Sequence, residues 1–121
     1  MDCVFCDRSK LQGKRLIDFP CFYVMESKGQ LQPGHTLVIP NRHIRSEDEL
    51  STKEWAYYQR ANTYAISYIK RIYNADCYAY INAPSSQSVL HLHKHFIPNI
   101  GGRLNPGDLE MSLRKHVYKS A

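Results

Sequence analysis

Hydrophobic and polar positions along this chain follow two different periods. After residue 50, Trp55, Tyr58, Asn62, Ala65, Ile66, Ile69, Ile72 and Tyr73 recur three and four residues apart, and Lys53, Gln59, Arg60, Lys70 and Arg71 fall on the other side. That period predicts one long amphipathic helix. Ser51-Thr52-Lys53-Glu54 reads as a capping box at its start, and Asn74 is a residue that tolerates the left-handed turn at a helix end. Elsewhere the period is two. Cys21 to Glu26 alternates loosely and is rich in aromatic and β-branched residues; Gln32-Pro33-Gly34 makes a turn; His35, Leu37 and Ile39 then share one face of a strand ended by Pro40. Cys77 to Ile81 reads as another strand, and Asn82-Ala83-Pro84-Ser85-Ser86 as the loop after it. Residues 1 to 20 carry a Cys pair and a polar run into Leu16-Ile17-Asp18-Phe19-Pro20, with no clear element. Strand, strand, helix, strand, loop, strand is an α+β order with antiparallel neighbours.

The last strand holds the chemistry. In Gln87-Ser88-Val89-Leu90-His91-Leu92-His93-Lys94-His95-Phe96-Ile97-Pro98, three of the chain's six histidines stand at every second position. An extended backbone projects all three from one face, whereas a helix would spread them around its circumference. Three readings are open: a polar face turned to water, a metal site, or nucleophilic catalysis in which one imidazole attacks and its neighbours fix its tautomer and hold the electrophile.

Length and charge narrow the class without choosing the reaction. At 121 residues the chain makes a single domain, 1–121. No window is long and apolar enough to span a membrane and the N-terminus does not read as a signal peptide, so a cytoplasmic protein is expected. Cys3, Cys6, Cys21 and Cys77 then read as thiols or metal ligands, and only Cys3 and Cys6 are spaced to chelate. The net charge of +5 is dispersed. It suits a phosphate-bearing small molecule as well as RNA, and no specific nucleic-acid motif is present.

The histidine segment, with Gln-Ser-Val before it and Pro98 after it, resembles the signature of the histidine triad superfamily of nucleotide hydrolases and transferases. Pro33-Gly34-His35-Thr36-Leu37-Val38-Ile39-Pro40-Asn41-Arg42-His43-Ile44 resembles that family's second hallmark, and Cys3-Val4-Phe5-Cys6 its N-terminal motif. The resemblance implies an antiparallel sheet of about five strands with the helix packed on one face, and a homodimer formed through that helix and a neighbouring strand. It implies that His93 is the nucleophile, forming a nucleotidyl-histidine intermediate at the α-phosphate. His95 would contact the phosphate and His35 would steady the triad's hydrogen bonds. Gln87 and Ser88 would hold phosphate and leaving group, Asn82 would line the nucleotide pocket, and Val4 and Phe5 would help cover the base. Some members bind zinc through residues that correspond to Cys3, Cys6, His43 and His91, so a structural zinc ion is implied here.

Three positions depart from the family pattern. Lys94 replaces an apolar residue, on the face opposite the histidines by alternation. Ser86 replaces a glycine before Gln87, and Ser27 stands where a longer polar side chain commonly holds the ribose hydroxyls. The expected function is hydrolysis at the α-phosphate of a nucleoside 5′-phosphate derivative, with a diadenosine polyphosphate the first choice of substrate and a phosphoramidate the second. A non-catalytic nucleotide-binding regulatory module is the alternative, and a zinc-stabilised RNA-binding domain is a third reading that draws only on charge and the nine tyrosines.

Overall fold

The computed structural model describes residues 3–28, 31–87 and 89–102. Ser88 therefore lies outside the described residues. Five strands and one long helix follow in the order β1 (Lys14–Phe19), β2 (Phe22–Glu26), β3 (Thr36–Pro40), α1 (Thr52–Tyr73), β4 (Cys77–Ile81) and β5 (Lys94–Pro98). They form one sheet, β1-β2-β3-β5-β4, in which every neighbouring pair is antiparallel. The chain enters β5 between β3 and the edge strand β4, which brings the histidine segment to the middle of the sheet. No helix among the described residues is long and apolar enough to cross a membrane.

Register decides what each face carries. Met25 pairs with Leu37, and Leu37 with His95, so these three side chains form a row across β2, β3 and β5. On that face Tyr23, Met25, Leu37 and Ile39 pack with Cys3 and Phe5 of the N-terminal segment. The alternate residues Phe22, Val24, Val38 and Phe96 turn to the other face and pack under Tyr58, Ala61, Ala65, Tyr68 and Ile69 of α1. Helix and histidines thus occupy opposite sides of one sheet. Lys94 lies on the helix side as its parity requires, its ammonium 5.4 Å from the Tyr58 ring centre and 5.5 Å from that of Phe96. Those rings take a cation where an alkyl side chain would otherwise pack.

Several elements differ from the sequence expectation for identifiable reasons. β1 escapes the period-two reading because a bulge between Arg15 and Ile17 breaks its alternation, and because an edge strand keeps charges such as Lys14 and Asp18. Cys21 belongs to the turn between β1 and β2, at φ 74°, and not to β2. The turn before β3 forms as expected: Gly34 at φ 86° follows Pro33, and the His35 N–H donates to the Gln32 carbonyl at 3.0 Å. Only His95 of the three triad histidines lies within a strand. Toward the end of β3 the ladder stops because Pro40 has no N–H to offer, and the Leu92 N–H turns instead to the Ile44 carbonyl at 2.6 Å.

Helix α1 begins and ends where the sequence places it. The Ser51 hydroxyl accepts from the Glu54 N–H, the Glu54 carboxylate accepts from the Ser51 N–H at 2.8 Å, and Asn74 closes the helix in the left-handed region at φ 52°. Its buried stripe is rotated from the expected one: Glu54, Tyr58, Ala61, Ala65, Tyr68 and Ile69 are inside, whereas Trp55 is 40 %, Ile66 37 % and Ile72 54 % exposed. Apolar residues cover more of the helix than the sheet can bury. Glu54 also receives Arg42 through two bonds, Nη2 at 3.0 Å and Nε at 3.2 Å, and so ties the segment after β3 to the helix start.

Those partners, Arg42 before Ser51, hold the Glu54 carboxyl below its ordinary range. A depressed carboxyl contributes stability that is present above its unfolded value of ~4.3 and is lost as pH falls through the lower folded value. Glu54→Gln is expected to cost about 1–2 kcal/mol in urea unfolding at neutral pH and to flatten the acid decline of stability. An unchanged acid slope would remove Glu54 from that role.

Candidate active site and metal centre

The backbone carbonyl of His91 accepts from His93 Nδ1–H at 2.7 Å. A carbonyl oxygen takes only a donor, so the His93 proton sits on Nδ1 and the ring's lone pair on Nε2. Beside it stands a second ordered set. The Leu31 N–H donates to His35 Nδ1 at 3.2 Å, His35 Nε2–H donates to His95 Nδ1 at 3.0 Å, and His95 Nε2–H donates to Asn82 Oδ1 at 3.2 Å. One tautomer for each ring satisfies the whole chain. The His93 and His95 rings meet edge to face, 4.9 Å between centres, and Phe5 packs 5.0 Å from the His93 ring. His35, His93 and His95 are all buried, which sharpens each hydrogen bond by excluding water.

On the far side of His93, two thiols and two imidazoles converge. The donor atoms of Cys3, Cys6, His43 and His91 all lie within 4.8 Å of one another. His91 Nε2–H donates to the Pro40 carbonyl at 2.8 Å, which leaves a single lone pair on Nδ1. Around that one atom stand Cys3 Sγ at 3.4 Å, Cys6 Sγ at 3.4 Å and His43 Nδ1 at 3.2 Å. A single lone pair does not account for three neighbours. A tetrahedral zinc ion does, since Zn–S of ~2.3 Å and Zn–N of ~2.0 Å imply donor–donor edges of roughly 3.3–3.8 Å. In the metal-free protein burial pulls the His91 imidazole below its ordinary value, keeping it neutral, and burial followed by the adjacent Cys3 pushes the Cys6 thiol up to about 11. A neutral His91 leaves its Nδ1 lone pair available, which is the donor state a zinc site uses.

Most of the residues the sequence singles out meet here. Phe5 is buried against His91 and His93, Val4 packs half-buried against the same cluster, and Asn82 ends the histidine chain. Ser27 is buried next to His35, whose carbonyl accepts its N–H at 2.8 Å, and its hydroxyl has no partner among the described residues. Gln87 is held by Arg45: Gln87 Nε2–H donates to the Arg45 backbone carbonyl at 2.7 Å, and Gln87 Oε1 accepts from Arg45 Nε–H at 3.4 Å. Sequence reasoning passed over Arg45, although its parity with His43 around the buried Ile44 was visible. It also passed over the Tyr23 hydroxyl, which donates to the Phe5 carbonyl at 2.8 Å and secures the turn carrying both cysteines. Nothing in the sequence marks the Pro40 and His91 carbonyls, which orient two of the three triad rings.

An antiparallel α+β sheet with a histidine cluster on the face opposite its helix defines the class. The HIT domain model matches residues 9–101, and the chain belongs to the HIT family. Among solved structures, it is similar to a HIT family protein from Bacillus subtilis at 23 % identity over 99 % of this chain and 100 % of that one, with a TM-score of 0.75. It is similar also to a zinc-bound histidine triad family protein from Mycobacterium smegmatis at 22 % identity, over 96 % and 93 % of the two chains, with a TM-score of 0.70. A HIT family hydrolase from Clostridium thermocellum aligns at 19 % identity over 87 % and 96 %, with a TM-score of 0.69. No curated protein matches the chain.

The hydrogen bonds fix tautomers that can be read directly. Long-range proton–nitrogen NMR is expected to show His93 protonated at Nδ1 and His95 at Nε2 near pH 8, where imidazoles are neutral; the opposite tautomer at His93 would contradict the geometry. Tyr23→Phe is expected to cost about 1 kcal/mol in thermal or urea unfolding through the carbonyl it leaves behind.

Proposed function

We propose that this chain is a nucleotide hydrolase, acting at the α-phosphorus of nucleoside 5′-phosphate derivatives by covalent catalysis through His93. The observation that carries this reading is the Nδ1–H bond of His93 to the His91 carbonyl, which directs the lone pair to Nε2 and needs no separate base to do so. His93 Nε2 attacks phosphorus, a P–N bond forms, and the bond to the leaving group breaks. Water then attacks the nucleotidyl-histidine, releasing a nucleoside monophosphate and returning the lone pair to Nε2. His95, oriented through His35 and Asn82, is placed to contact the phosphoryl oxygens as negative charge builds on them. Diadenosine polyphosphates are the first choice of substrate and phosphoramidates the second, with Phe5 and Val4 covering the base and Ser27 near the sugar.

Cys3, Cys6, His43 and His91 would hold a structural zinc ion. When bound, the ion supplies a cross-link, joining the N-terminal turn to the segment before β5. All four protein donors are then used, and no step of the chemistry passes through the metal. Its effect on His93 runs through one residue: the His91 ring is a ligand and the His91 carbonyl orients the nucleophile. That the similar Mycobacterium smegmatis protein is zinc-bound and the Clostridium thermocellum one is a HIT family hydrolase supports these two parts of the reading. A homodimer through α1 and the edge strand β4 would cover the exposed Trp55 and Ile66.

Release of adenosine monophosphate from diadenosine tetraphosphate and from adenosine phosphoramidate tests the reaction. Wild type is expected to release it from at least one, and His93→Ala to lower that rate by about 10³-fold or more while remaining folded. Binding of adenine nucleotides with no release from either substrate would favour a binding module. Metal analysis is expected to find about one zinc per chain, and Cys3→Ser to lose the metal and several degrees of melting temperature together. Equal melting temperatures with and without chelator would remove zinc from the structural account.

A further inference from the structure

Arg45 stands apart from the other arginines near the site. Arg8 and Arg15 both pair with Asp18, and Arg42 pairs with Glu54. Arg45 is half-buried, yet its guanidinium meets only neutral acceptors: Nε–H to Gln87 Oε1 and Nη2–H to the Pro84 carbonyl at 2.5 Å. No carboxylate pairs with it among the described residues. A guanidinium carries five N–H donors, and these two contacts leave the Nη1 end without a hydrogen bond among the described residues.

Its position follows from the backbone. The Ile44 carbonyl takes the Leu92 N–H, so residues 43 to 45 run beside the histidine segment. Ile44 turns into the core under α1, and its neighbours diverge from it, His43 to the thiols and Arg45 to the loop that ends at Gln87. The Arg45 N–H is itself anchored by the Glu49 carboxylate at 3.1 Å. The loop from Pro84 to Gln87 is therefore clamped at both ends of one guanidinium, immediately before the triad segment. A cation held by neutral groups, against the loop that leads into the triad segment, keeps its charge for an anionic ligand.

We propose that Arg45 is a specificity-determining residue that binds the phosphates of the leaving group, and so selects polyphosphate leaving groups over small uncharged ones. This deepens the reading of the chain as an α-phosphorus hydrolase and rests on it. In diadenosine tetraphosphate, attack at the α-phosphorus expels adenosine triphosphate, a polyanion that Arg45 meets. In adenosine phosphoramidate the same attack expels ammonia, which gives Arg45 no partner. Bidentate geometry distinguishes the guanidinium from a lysine, and its Nε–H on Gln87 Oε1 adds to the bond that Gln87 Nε2 makes to the Arg45 backbone carbonyl.

The test compares wild type, Arg45→Gln and Arg45→Lys on both substrates, with melting temperatures as the control for folding. Arg45→Gln is expected to lower the ratio of kcat/KM for the tetraphosphate to that for the phosphoramidate by about tenfold or more, mainly through KM, and Arg45→Lys to restore part of it. Equal losses on both substrates would make Arg45 a structural clamp, and an unchanged ratio would overturn the proposal outright. If wild type turns over neither substrate the hydrolase reading fails, and calorimetric titration with adenosine monophosphate and triphosphate decides Arg45 by itself. Tighter binding of the triphosphate, lost in Arg45→Gln, supports the cation's role; equal binding of the two nucleotides, or binding of neither, overturns it.

Discussion

The pairing of Leu37 with His95 fixes which side of the sheet carries chemistry. Side chains alternate along a strand, so this register puts His95 on the face of Met25, Leu37 and Ile39, and Phe96 and Lys94 on the face of the helix. A slip of one residue would bury the imidazole under Tyr58 and Ala61 and expose Phe96 where the site lies. The register is held from both sides. The helix face demands Val38 and Phe96, and the turn at Pro33-Gly34 sets where β3 starts, so that His35 arrives beside His95 with its Nε2 3.0 Å from the partner nitrogen.

Beyond the end of that ladder, order passes from strand pairing to individual carbonyls. Pro40 ends β3 by lacking a donor, and its free carbonyl orients the His91 ring; the His91 carbonyl in turn orients the His93 ring. The cysteine cluster and the imidazole proposed as nucleophile are thus joined through the two ends of one residue. The N-terminal turn closes this arrangement, with Phe5 between the His91 and His93 rings and the Tyr23 hydroxyl on the Phe5 carbonyl. A short irregular segment can hold the His91 and His93 imidazoles in fixed tautomers because each ring meets a specific carbonyl acceptor.

Helix α1 was legible to its caps because propensity, capping box and C-terminal asparagine all agree locally. Its buried stripe was not, because Trp55, Ile66 and Ile72 are as apolar as the residues inside, and only the sheet beneath decides between the two arcs. The α+β order, the gathering of His35, His93, His95 and Asn82, and the proximity of Cys3, Cys6, His43 and His91 could all be anticipated from side-chain types and from the resemblance to the family. β1 could not, since its bulge and its charges hide the alternation. The irregular backbone at His91 and His93 could not either: it depends on Pro40 and Ile44, more than 45 residues away along the chain, and local pattern carries no information about such a contact. Arg45 lay between these cases, visible by parity with His43 but without a pattern that names its partner.

The central claim is that His93 attacks phosphorus itself, and the stereochemistry of hydrolysis at an isotopically chiral α-phosphorus tests it most directly. Two successive in-line displacements, first by His93 and then by water, return the phosphorus to its starting configuration, so the account predicts net retention. Net inversion would mean that water attacks the substrate in a single step, leaving the histidines to bind and orient and contradicting the covalent mechanism.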